Sequence, residues 1–67
     1  MIYAHGRIEE LKARIVAVQI RVEGMLAENA HRQNRGETLA YVETHFEAAA
    51  KEVDEHAAGI KHFAEEP

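Results

Sequence analysis

Apolar residues recur along this chain with a three-four rhythm. In the first half Ile8, Leu11, Ile15, Val18, Val22 and Met25 follow it, and Asn29 takes the next place. In the second half Leu39, Val42, Phe46, Ala49, Val53, His56, Ile60 and Phe63 do the same. Steps that alternate between three and four residues put one stripe on one side of a helix. Each stripe lasts about four heptads, the seam of a coiled-coil-like packing. Between the stripes, Arg32-Gln33-Asn34-Arg35-Gly36-Glu37-Thr38 holds no large apolar side chain. Gly36 can take a positive φ and end a helix, and Thr38 or Asn34 can cap the next one. A single continuous helix would need a 3-3 step across this stretch, a stammer in the heptads. The pattern therefore predicts an all-α, antiparallel two-helix hairpin as one domain over 1–67. Helix 1 spans about 2–33, the turn about 34–37 and helix 2 about 38–64.

The two arms also fit a register. Matching each a position with a d position across the hairpin sets Leu11 by Ile60, Ile15 by His56, Val18 by Val53, Val22 by Ala49 and Met25 by Phe46. On one flank it brings Arg7 toward Glu66, Arg21 toward Glu52 and Glu28 toward His45. The charge division agrees. Residues 1–36 carry 6 basic and 4 acidic side chains, net +2, and residues 37–67 carry 2 basic and 8 acidic, net −6. Opposite arms set register more than stability, because each exposed pair contributes only a fraction of a kcal/mol.

Two helices share one seam only, and 67 residues without a cysteine bury too little apolar surface to stand alone comfortably. Helix 1 carries a second apolar stripe, Ala13, Val16, Ala17, Ile20, Gly24 and Ala27, and helix 2 places Ala50 and Ala57 beside its seam. A helix that is apolar on two sides is covered on two sides. The expectation is a homodimer that forms a four-helix bundle, with these residues as the self-interface. Another helical protein is the alternative cover.

Composition narrows the chemistry. No cysteine excludes disulfide and cysteine-based zinc modules. The longest apolar run, Ile15-Val16-Ala17-Val18, is too short for a bilayer span or a signal-peptide core, so no membrane contact and a cytoplasmic location are expected. No serine, no cysteine and no glycine-rich phosphate loop leave little for catalysis, and the chain is expected not to be an enzyme. Five histidines are many for this length. Glu28 and His31, three apart on one face, with His45 opposite, could hold zinc or a similar divalent ion, the one cofactor for which the sequence offers ligands. His56 lies on the seam, where an imidazole needs a hydrogen-bond partner, with Glu52 the candidate. Its protonation would loosen the bundle, which marks it as a pH-sensitive core residue. Asn29, also on the seam, is expected to specify register near the loop. Tyr3 and Tyr41 lie off the seam as contact aromatics.

Helix 1 and the turn offer Arg14, Arg32 and Arg35 to a nucleic acid, although a net charge of −4 runs against the basic footprint of such binders. The expected architecture resembles, in shape, that of the Rop-type plasmid RNA-binding proteins, and this resemblance implies a nucleic-acid-binding regulator as an alternative. The reading the residues favour is a protein–protein interaction module: an adaptor or small regulator that self-associates.

Overall fold

The computed structural model describes residues 2–65, with side chains over 6–65. Two helices, α1 (Ile2–Asn34) and α2 (Glu43–Glu65), pack antiparallel as a hairpin. The helix formers Ala, Glu, Arg, Lys and Leu fill both arms, and neither is interrupted by proline. The resulting body measures 55 × 17 × 9 Å, one helix thick. Its radius of gyration is 16.0 Å, against about 11 Å for a compact globule of this length.

The seam lies where the spacing places it. Leu11, Val18, Met25 and Ala49 are the buried apolar residues. Ile8, Ile15, Val22, Phe46, Val53, Ile60 and Phe63 are half-buried between the arms. Gly59 sits so close to Leu11 that an added Cβ would stand 3.0 Å from Leu11 Cδ1, so a helix-weakening glycine here serves close approach of the arms. Arg21 donates to Glu52 across the hairpin, the ion pair the register requires. The proposed Arg7 partner, Glu66, lies outside the described residues. Arg7 bonds Glu10, 2.8 Å away on its own helix.

The connection departs from expectation. It runs over 35–42 rather than about 34–37, and α2 starts at Glu43 rather than about 38. Two devices cause this. First, α1 ends in a Schellman motif. Gly36 adopts φ 74°, its N–H bonds Gln33 C=O at 3.1 Å, and Glu37 N–H bonds Arg32 C=O at 2.8 Å. Second, Asn29 clips the returning strand. Its Nδ2 donates to Tyr41 C=O at 2.8 Å, and Tyr41 N–H donates to its Oδ1 at 3.0 Å. A residue whose backbone is held sideways in this way cannot join a helix. Leu39 and Val42, which the spacing assigns to the seam, therefore lie in the connection and remain exposed.

Neither Thr38 nor Asn34 caps α2. Val42 stands at the N-cap, its carbonyl accepting from His45 N–H at 2.9 Å. His45 Nδ1 accepts from Val42 N–H at 3.0 Å. This is the reciprocal half of a capping box, with imidazole in the place usually taken by Glu or Gln. Tyr41 packs edge-on against the same imidazole, ring centroids 5.5 Å apart.

Candidate interaction surface

The two arms meet along one line, so the hairpin has two flanks and two outer sides. One flank is charged. Arg7, Arg14, Arg21 and Glu28 recur on it at intervals of seven, and Glu52 answers from α2. The opposite flank is an open apolar groove of about 490 Å³. Val18, Val22, Phe46, Ala49 and Val53 form its floor, with Gln19, Glu23 and Ala50 on its rims. Positions seven apart share a helix face. Lys12 and Leu26 therefore continue the α1 rim, and Ala57 and Ala64 continue the α2 rim. All four are exposed.

The second apolar stripe lies elsewhere. Ala13, Ala17, Ile20, Gly24 and Ala27 are exposed on the side of α1 turned away from α2, Ile20 63% accessible, and Val16, 51% accessible and seven residues before Glu23, stands where that side meets the groove rim. The residues expected to make one self-interface thus divide between two surfaces: Ala13, Ala17, Ile20, Gly24 and Ala27 on the outer side, Ala50 and Ala57 on the groove flank, with Val16 at the edge between them. The heptads distinguish these faces once the groove side is known. The stripe was visible in the sequence as apolar content, and its separation from the groove became visible only with the arms in place.

The candidate chemical residues are mostly occupied. Arg32 Nε donates to Glu28 Oε1 at 2.9 Å, and His45 serves the α2 cap. Among the described residues no group of three His, Asp or Glu side chains is placed to hold a metal ion, Glu28, His31 and His45 included. His56 keeps its seam position but is half-buried and not enclosed, and no polar residue is buried among those described. Glu52, its expected partner, is engaged by Arg21. The single-layer seam leaves one side of His56 open to water.

The arginines named for nucleic acid all bond carboxylates of their own chain. Arg14 Nη2 lies 2.6 Å from Glu10, Arg32 holds Glu28, and Arg35 holds Glu37 at 2.6 and 3.3 Å across Gly36. Glu10, bonded by Arg14 and then Arg7, titrates below the usual carboxylate range. The hydrogen bond to Glu37 raises the pKa of Arg35 further. Arg14 lies inside α1 and Arg32 and Arg35 at its C-terminal end, and at each a polyanion would have to displace a carboxylate. Asn29 is the functional side chain whose role was closest to expectation: it fixes where the returning chain meets α1.

Among the described residues no helix is long and apolar enough to cross a membrane. Comparisons with family models, with curated proteins and with solved structures give no match for this chain.

Proposed function

We propose that this protein is a non-catalytic, self-associating helical module that works in the cytoplasm through protein–protein contact, as an adaptor or small regulator. One observation carries the reading. The hairpin exposes 5136 Å², whereas a compact monomer of 7.6 kDa exposes about 4,300 Å². The surplus, roughly 800 Å², is the area one partner contributes to a stable interface of standard size. Its chemistry fits that use, because the groove floor and the outer α1 stripe are apolar.

The two surfaces suit two roles. A copy of the chain covers one and completes the bundle, and the other presents Ile20, with Val16 at its edge, to a helix of a second protein, the helix-face mode of recognition. Sedimentation equilibrium over a wide concentration range tests the first step. The expected mass is twice 7.6 kDa throughout. A mass of one chain at every concentration contradicts self-association.

A further inference from the structure

We propose that a second copy of the chain occupies the groove, related by a dyad perpendicular to the helices, so that the two connections lie at opposite ends of the bundle. This deepens the self-association reading and rests on it. The groove flank is where a second layer fits. It is the side of the seam opposite the Arg21–Glu52 pair, and half-buried Phe46, Val22 and Val53 open onto it. The roughly 800 Å² of surplus surface matches one partner's share of such an interface.

A flat hairpin can cover a second one in two ways. With connections at opposite ends, α1 lies on α1 and α2 on α2. With connections at the same end, α1 lies on the partner copy's α2. The charges beside the groove discriminate between them. The α1 rim carries Lys12 and Glu23, with Glu9 beside it accepting from Lys12 Nζ at 3.3 Å, an exposed pair that a carboxylate of a second copy can join. On α2, Glu43 begins the rim of Ala50, Ala57 and Ala64, and Glu47, Asp54 and Lys61, each three residues before one of these alanines, stand exposed next out from it.

Opposite-end pairing sets Lys12 of each copy against Glu23 of the other, and Glu47 against Lys61. The midpoint of Lys12 and Glu23 falls between Ala17 and Val18, and the midpoint of Glu47 and Lys61 falls on Asp54. Val18 and Val53 line the same part of the groove, so both midpoints lie at one level and a single dyad satisfies both pairs. The same dyad sets Ala50 against Ala57, two small residues that allow close approach of the α2 arms. Glu43 then lies by Ala64, and Glu9 by Leu26. Asp54 meets its own copy, the one like-charge approach. Same-end pairing instead sets Lys12 near Lys61 and Glu23 near Glu47, with Glu9–Lys61 its single opposite pair. Rim charges choose register and orientation more than they add affinity, and here they choose opposite ends.

The chain has no cysteine, so one introduced thiol reports cleanly. Asn34→Cys, exposed at the end of α1, is spin-labelled and the distance between copies is measured in the full-length protein. Opposite ends give about 50 Å, from 1.5 Å per residue to the dyad and back, and same ends give roughly 20 Å. The short distance overturns the arrangement. Ala50→Glu is expected to dissociate the dimer and Ile20→Glu to leave it intact, and the reverse result overturns the groove as the interface. If Ala50→Glu does not fold, the charge exchange decides. Lys12→Glu alone weakens the dimer about tenfold and Lys12→Glu with Glu23→Lys restores it, whereas same-end packing has Lys12→Glu tighten it. A monomer at all concentrations overturns both this arrangement and self-association; a dimer with the short distance overturns only the arrangement.

Discussion

Replacing Asn29 by alanine probes the feature that most shapes the connection. The substitution removes two hydrogen bonds to the Tyr41 backbone, 2.8 and 3.0 Å long. Each contributes about 1 kcal/mol net, less where water can take over. Asn29 is half-buried, so roughly 1.5 kcal/mol is lost. Alanine returns about 0.5 kcal/mol as the better helix former. The net loss is about 1 kcal/mol, which lowers the melting temperature by roughly 5 °C for a domain of this size. Circular dichroism at 222 nm reads the global effect. Hydrogen exchange at the Tyr41 amide reads the local one, and exchange there should accelerate well beyond any change at Val18. Asn29→Leu supplies the decisive contrast. If the apolar stripe simply ran on through Leu39 and Val42, leucine at this seam position would bury and stabilise by about 2 kcal/mol. Here it should destabilise as alanine does. A higher melting temperature for Asn29→Leu, with the Tyr41 amide still protected, would refute the clip.

Three further outcomes follow from the same geometry. Gly36→Ala should cost about 1 kcal/mol, because φ 74° strains any residue with a Cβ, and thermal melts will show whether it does. Arg21→Ala should change stability by less than about 1 kcal/mol, since its pair with Glu52 is exposed; a double-mutant cycle with Glu52→Ala gives the coupling. Glu10 is depressed in the folded state by Arg14 and then Arg7. Its contribution is therefore present above the unfolded carboxylate pKa and is lost as pH falls through the lower folded one. Glu10→Gln should flatten that part of an acid titration of helicity, and an unchanged acid limb would argue against the Arg14–Glu10–Arg7 cluster.

Much of the fold was legible in the heptads because helix period and burial obey the same geometry. Leu11, Val18, Met25 and Ala49 are seam residues by spacing and the buried ones in fact. Arg21–Glu52 followed from the register. Gly36 announced the end of α1. The start of α2 was not legible by the same reasoning. Leu39 and Val42 keep the three-four spacing, yet the backbone of Tyr41 is held by a side chain twelve residues earlier, and periodicity carries no information about such a bond. The signals that could have found it were a polar Asn29 on the seam near the turn, and a histidine three residues after Val42 able to close a capping box. His45 was read as a metal ligand because the register sets it opposite Glu28. The local bond to Val42 N–H engages its Nδ1 instead. The expected self-interface divided in two because apolar content shows that a helix has a second face, while the direction of that face depends on where the first partner sits.

The central claim is that folding and association are one reaction, because a single hairpin leaves too much of its apolar seam open to water. The dependence of the melting temperature on protein concentration tests it most directly. A dimer that folds as it associates melts higher as concentration rises, since mass action favours the assembled state. A hundredfold rise in concentration should therefore raise the midpoint by several degrees. A midpoint that stays constant over that range, at full helicity, would mean that the single hairpin is stable alone and would contradict the account.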